Sequence, residues 1–267
     1  MARLTARKRK LTIAAASVLA LAGVISGTVA MATQDSGGAP GHARGPSPDG
    51  RAGTPGIPSA SVSRGPVSPE ISHDAEDPGK VVNLTIDDGP DPVWTPKVLD
   101  VLKKYGAKAT FCMIGPQAKA RPDLVKKVLA AGHRLCDHSV DHNTAMDKRS
   151  EDYQRQQILD AQKMIEDAAG PGVPVLYYRA PGGAFTPYSR KLAADHGMRP
   201  LGWNVDTHDW QRPGTERIVE TVEKELREGP TILFHDGGGD RSQTVAALEE
   251  TLPWLKNQGY GFSFPKS

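Results

Sequence analysis

Short apolar runs recur along the chain at Val81–Ile86, Ala109–Ile114, Arg134–Cys136, Val173–Tyr178, Arg199–Trp203, Thr231–Phe234 and Tyr260–Phe264. Their length predicts strands. Between most of them the apolar spacing changes to that of a helix. Lys97–Tyr105 sets Val98, Val101 and Leu102 on one stripe before Gly106, and Leu124–Ala131 stops at Gly132. Ser150–Ala168 carries Ile158, Ala161, Ile165 and Ala168 before Gly170, and Thr215–Glu228 carries Ile218, Val219, Val222 and Leu226 before Gly229. Glycine after the last apolar position is a helix stop signal. Alternating strands and helices predict an α/β fold with a parallel sheet or barrel, and residues 80–267 are enough for one such domain.

Polar residues follow the strands at a consistent place. Val81–Ile86 runs into Asp87-Asp88-Gly89-Pro90, and Leu135-Cys136 into Asp137-His138. Tyr177-Tyr178 runs into Arg179-Ala180-Pro181-Gly182-Gly183, Trp203-Asn204-Val205 into Asp206-Thr207-His208-Asp209-Trp210, and Leu233-Phe234 into His235-Asp236. In parallel α/β barrels the loops at the C-terminal strand ends converge, and active sites assemble there. Five such loops point to an enzyme.

The region before the domain has a different pattern. Arg3, Arg7, Lys8, Arg9 and Lys10 precede an apolar run from Leu11 to Val29, and Ala30-Met31-Ala32 offers small residues for cleavage. Residues 1–32 therefore read as a signal peptide or, if uncleaved, a membrane anchor. Either reading places the remainder outside the cytoplasm, secreted or held at the cell surface. Residues 33–79 are rich in Gly, Pro and Ser, and no aromatic residue occurs before Trp94. This composition predicts a disordered linker, in which His42 and His73 are expected to be inert.

Composition narrows the class. The 267 residues hold 33 Lys/Arg against 31 Asp/Glu, and the excess lies in residues 1–79. A balanced domain gives no support to nucleic-acid binding. Two cysteines exclude a disulfide-stapled miniprotein. Because Cys112 and Cys136 each fall in an expected strand of an exported chain, a disulfide between them is expected. The alternatives are two buried thiols or a stray cation ligand at Cys136.

Each constellation has a plain reading beside the chemical one. His138 and His142, four residues apart, suit a metal ion but also occur by chance on a surface or in a core. Asp87-Asp88 could form an ordinary surface loop, yet adjacent carboxylates gain nothing by packing. Together the two motifs allow one carboxylate to complete a two-His, one-carboxylate set while the other serves as base. Arg179 could be a solvated charge, or could pair with a carboxylate and orient it. His235 could be a satisfied core histidine, or the acid that protonates a leaving amine, with Asp206 or Asp209 orienting it. Gly182 and Gly183 would let backbone approach a ligand. Trp210 offers a flat apolar wall. His133 and His196 read as helix-end residues, and His208 has no evident partner.

In this order the motifs resemble those of the polysaccharide deacetylases of carbohydrate esterase family 4, the NodB-homology domain. T-I-D-D-G-P at 85–90 resembles T-F-D-D-G-P, H-S-V-D-H at 138–142 resembles H-[ST]-x-x-H, D-T-H-D-W at 206–210 resembles D-x-x-D-W, and L-F-H at 233–235 resembles Leu-x-His. The resemblance covers about Val81 to Phe264 and implies a distorted (β/α) barrel. It also implies Asp87 as general base, Asp88, His138 and His142 as metal ligands, and His235 as general acid. Arg179 would orient Asp87, Asp206 would tune His235, and Trp210 and Leu233 would line an acetyl-methyl pocket. The implied cofactor is one divalent ion, usually zinc, with cobalt the alternative. R-A-P-G-G at 179–183 departs from Arg-Pro-Pro-[Tyr/Phe]-Gly, so Gly182 replaces an aromatic wall while keeping the N–H expected to face the oxyanion.

The implied activity is hydrolysis of N-acetyl groups on a β-1,4-linked N-acetylglucosamine polymer, peptidoglycan or chitin oligosaccharide, by a metal-activated water. The expected protein is a monomer whose partner is an acetylated polysaccharide, with no nucleic acid and no membrane contact beyond an uncleaved anchor. Rival readings are an O-acetyl xylan esterase of the same fold, a non-catalytic wall-binding homologue and a metal-dependent phosphoesterase. A phosphoesterase would need more cationic groups. A binding module has no use for a base and an acid.

Overall fold

The computed structural model describes residues 65–267. The expected signal or anchor at 1–32, His42, and the linker up to residue 64 lie outside the described residues. Strands β1 (Val81–Asp87), β2 (Ala109–Met113), β3 (Arg134–Asp137), β4 (Tyr177–Tyr178), β5 (Arg199–Pro200), β6 (Val205–Asp206), β7 (Thr231–His235) and β8 (Gly261–Phe262) form one parallel sheet. The order is β5-β4-β3-β2-β1-β7-β6, and β8 also pairs with β1. Helices α1 (Trp94–Tyr105), α2 (Gly115–Ala120), α3 (Pro122–Ala130), α4 (Glu151–Ala169), α5 (Pro187–Asp195), α6 (Thr215–Glu225) and α7 (Ser242–Asn257) make the connections.

Chain length forces this sheet to curl. Laid flat, six strand spacings of roughly 4.8 Å would part the two edges by roughly 29 Å. The chain passes from Pro200 at the end of β5 to Val205 at the start of β6, and those five Cα steps reach at most roughly 19 Å. The edges therefore approach each other, and the sheet closes into a half barrel with β5 and β6 flanking the gap.

Strand periodicity then sorts the side chains. Val82, Leu84 and Ile86 of β1 join Phe111, Leu135, Ile232 and Phe234 in the core shared with Val98, Leu102, Ile158 and Leu248 of the helices. The alternate residues Asn83, Thr85 and Asp87 take the other face, because successive side chains of a strand point oppositely. That face encloses a narrower interior with Cys112, Cys136, Tyr177 and Leu201 packed together. Cys112 and Cys136 are register partners across β2 and β3, 4.1 Å apart at Cα and joined as a disulfide.

The linker boundary expected at Gly79 falls too late. Ser72 adds to the β5 edge as a parallel bridge to Leu201, its N–H donating to Pro200 O at 2.8 Å and its carbonyl accepting from Gly202 N at 2.9 Å. The Asp74 carbonyl accepts from Lys266 N, and Glu76 pairs with Arg134 at 2.7 Å. His73, expected to be inert, lies 3.1 Å through Nδ1 from Trp203 O. Most of these contacts use backbone or polar groups rather than apolar side chains, so a search for apolar residues misses them. Two expected strands also shorten, Val173–Tyr178 to Tyr177–Tyr178 and Arg199–Trp203 to Arg199–Pro200.

Candidate active site and metal centre

Parallel strands that begin together also end together. Register sets Asp87 opposite Cys112 on one side and His235 on the other, and Asp137 opposite Met113. The residues just beyond these ends share the same mouth.

Asp88 follows β1 with φ 79°. Its Oδ1 lies 3.2 Å from His142 Nε2 and 3.6 Å from His138 Nε2. One donor atom from each of the three residues lies within 4.8 Å of the others. Asp88 Oδ1 is buried and accepts no hydrogen bond of acceptable geometry, despite the nearby imidazoles. Burial would raise the Asp88 pKa, but the contact with His142 and the charges of His138, His235 and His142 hold it below the usual carboxylate range. The Asp88 contact raises His142 more than burial lowers it.

His138 Nδ1 lies 2.8 Å from the Arg179 carbonyl, which can only accept, so Nδ1 carries the proton. Burial lowers the His138 pKa against the pull of Asp87 and Asp88, favouring the neutral ring. The Nε2 lone pair therefore faces Asp88. This is how a carbonyl fixes the tautomer of a metal-ligating histidine. An unpartnered carboxylate oxygen and a ring nitrogen preset as donor fit a divalent cation. Two nitrogens and one oxygen also leave positions open, as catalytic zinc sites do.

Asp87 lies beside this set. Arg179, fully buried, donates from Nη1 to Asp87 Oδ1 at 2.7 Å and to Thr85 Oγ1 at 2.9 Å. Its Nε and Nη2 donate to the Leu201 and Gly202 carbonyls at 3.2 and 2.8 Å. One carboxylate oxygen is thus committed, while Asp87 Oδ2 lies 3.5 Å from His138 Nε2. Thr85 opens the T-I-D-D-G-P motif but has no role assigned there, although its place two residues before Asp87 puts it on the same strand face.

On the other flank, His235 Nδ1 lies 2.7 Å from Asp209 Oδ1, and the His235 N–H donates to Asp209 Oδ2 at 2.9 Å. Thr244 Oγ1 donates to the same Oδ2 at 2.7 Å. Burial alone would lower His235, but the Asp209 bond and charge, with Asp87 and Asp88 beyond, push its pKa up to about 9. The expectation that Asp206 tunes His235 is corrected. Asp206 pairs with Leu233, two residues short of His235, and its carboxylate accepts from His208 N. The following turn, Asp209–Gln211, carries Asp209 to the level of the imidazole.

Leu233 is buried on the same face of β7 as His235. Trp210 sits in the turn beside Asp209 with 49% of its surface exposed. Gly182 has φ 59°, and a Cβ there would meet the Thr144 side chain at 3.1 Å. An aromatic side chain at this position would strain the backbone and press on Thr144. His133 closes the end of α3 as expected, its N–H donating to Val128 O at 3.2 Å beyond Gly132, and its Nδ1 also accepts from Ala109 N of β2.

The polysaccharide deacetylase family model matches residues 74–201. The peptidoglycan-N-acetylglucosamine deacetylase of Bacillus cereus is 44% identical over 185 residues, covering 68% of this chain and 85% of that protein. A chitooligosaccharide deacetylase of Sinorhizobium fredii is 39% identical over 189 residues, covering 67% and 87%. Among solved structures, a CE4 family pseudoenzyme from Bacillus anthracis superposes with TM-score 0.66 at 31% identity, covering 73% of this chain and 67% of that one.

Proposed function

Since the chain belongs to the polysaccharide deacetylase family, we propose that it is an exported, metal-dependent hydrolase that removes N-acetyl groups from β-1,4-linked N-acetylglucosamine polymers. The observation that carries the reading is the convergence of Asp88, His138 and His142 between an Arg-held aspartate and an Asp-held histidine. A pseudoenzyme among the structural relatives makes this convergence the deciding feature, because a protein that only bound glycan would not need both proton-transfer groups.

Asp88, His138 and His142 would hold the cation, zinc by donor type with cobalt as the alternative. When bound, such an ion acts as a Lewis acid toward the acetyl carbonyl and lowers the pKa of water. Asp87 takes the proton of the attacking water, with Arg179 keeping the carboxylate oriented. His235, protonated through Asp209, gives its proton to the departing sugar nitrogen, so amine and acetate leave. The Gly182 N–H is assigned to the oxyanion, and Trp210 and Leu233 to the walls around the acetyl methyl. The Cys112–Cys136 disulfide supports export, since such bonds persist in oxidising compartments. We assign residues 1–32 as signal or anchor, residues 33–64 as tether, and the folded domain as a monomer acting on the cell wall or its fragments.

The test is acetate release from peptidoglycan, chitooligosaccharide and acetylxylan, with and without chelator. Chelator is expected to abolish release from the first two and zinc to restore it. Asp87→Asn should keep the zinc and lose turnover by a factor of roughly 10² or more. Release confined to acetylxylan would replace the amide substrate with an ester. Activity untouched by exhaustive chelation would end the cation assignment.

A further inference from the structure

Two of the three candidate cation ligands sit on one short loop, and two of its non-glycine residues, Ser139 and His142, have φ values of 67° and 54°. L-residues rarely adopt this conformation, so surrounding contacts must impose it. Some of the restraint is local. The Ser139 N–H donates to Asp137 Oδ1 at 2.7 Å, and the His142 N–H to Ser139 Oγ at 3.2 Å.

The middle of the loop is held from elsewhere. The Val140 and Asp141 N–H groups both donate to a single atom, Gln157 Oε1, at 3.1 and 2.9 Å. Gln157 is buried on α4, on the same helix as the core residues Ile158, Ala161 and Ile165. One turn earlier, Tyr153 donates its hydroxyl to Asp141 Oδ2. A buried amide oxygen facing two consecutive backbone N–H groups acts as a clamp. It fixes the turn that brings His142 Nε2 back to within 3.2 Å of Asp88 Oδ1.

We propose that Gln157 is a positioning residue for the cation site, holding the His138–His142 loop in its ligating form before any ion binds. The inference rests on the cation reading above and extends it to a residue outside the ligand motifs. Removing the clamp lets the loop relax, so each ion must reorder it on binding and affinity falls. Once loaded, the site still presents the same ligands to the substrate.

The experiment uses the full chain as wild type, Gln157→Ala and Gln157→Glu. Zinc affinity is measured by competition with a chromophoric chelator. Hydrogen exchange of the 138–145 region is followed in metal-free protein, and kcat is measured at saturating zinc. Gln157→Ala should lose zinc affinity by roughly tenfold or more, as outer-shell losses commonly do. It should exchange faster in the loop and recover most of its kcat when saturated. Gln157→Glu, whose carboxylate can accept the same two N–H groups, should bind zinc much more nearly as wild type does than Gln157→Ala. The clamp is refuted if a folded Gln157→Ala binds zinc as wild type does with unchanged loop exchange. It is equally refuted if Gln157→Glu loses as much affinity as Gln157→Ala. A wild type that binds no zinc would overturn the cation reading itself, a separate outcome.

Discussion

His235 and Asp209 show how one buried contact sets a working pH. With its pKa raised from 6.5 to about 9, the imidazole is protonated across the neutral range. Because the folded value lies above the ordinary one, the stabilisation from the pair is full below about pH 6.5 and is lost as pH climbs through 9. A cation at Asp88 adds positive charge nearby and brings this value down, so the alkaline limb of the loaded enzyme is expected at or below 9. Asp209→Asn removes the charge that opposes burial, and its limb should fall below the ordinary histidine value. A pH–rate profile of kcat/KM decides this, and superimposable profiles would remove His235 from the role of acid. At this scale much was legible. Asp87, Asp88, His138, His142 and His235 stand at strand ends where their chemistry is exposed to one another. The choice between Asp206 and Asp209 was not, because one ends β6 and the other lies in the turn just after it, and only the register of β6 against β7 separates them.

Among the elements, β2 and β3 are tied covalently as well as by their ladder. The disulfide closes a separation of 24 residues across α2 and α3, for which chain-entropy arguments give about 2–4 kcal/mol. Reduction, or paired Cys112→Ala and Cys136→Ala, should therefore lower the melting temperature clearly while leaving zinc binding in place. Two alkylatable thiols in the non-reduced protein would contradict the bond. The helices differ in how plainly they were written. The apolar stripe of α1 and the Ser150 cap of α4 are direct signals. By contrast, α7 buries Thr244 and Thr251 among its leucines and contains Pro253, so its stripe is diluted and reads as broken. The helix matters to the site all the same, because Thr244 is the donor that completes Asp209. Similarly, Gln157 looks like a polar interruption of the α4 stripe until the 138–142 loop is laid across it.

Across the whole molecule, the stretch before β1 belongs to the folded unit. A chain beginning at residue 65 should melt like the full-length protein and release acetate from soluble oligosaccharide at the same rate. One beginning at residue 80 loses the Ser72, Asp74 and Glu76 contacts. At about 1 kcal/mol per hydrogen bond, it should melt roughly 5–10 °C lower. Ser72 also steadies Leu201 and Gly202, whose carbonyls hold Arg179, so turnover should weaken too. Equal melting of the two chains would return the boundary to Gly79. The sequence by itself determined that short strands alternate with helices and which chemical groups gather at the strand ends. Those properties follow from local periodicity and from side-chain identity. Only the tertiary structure decided that Asp209 reaches His235, that Gln157 clamps the ligand loop, and that residues 70–77 pack against the half barrel. Each of these depends on the offset between distant elements or on backbone hydrogen bonds, and neither leaves a mark in the order of side chains.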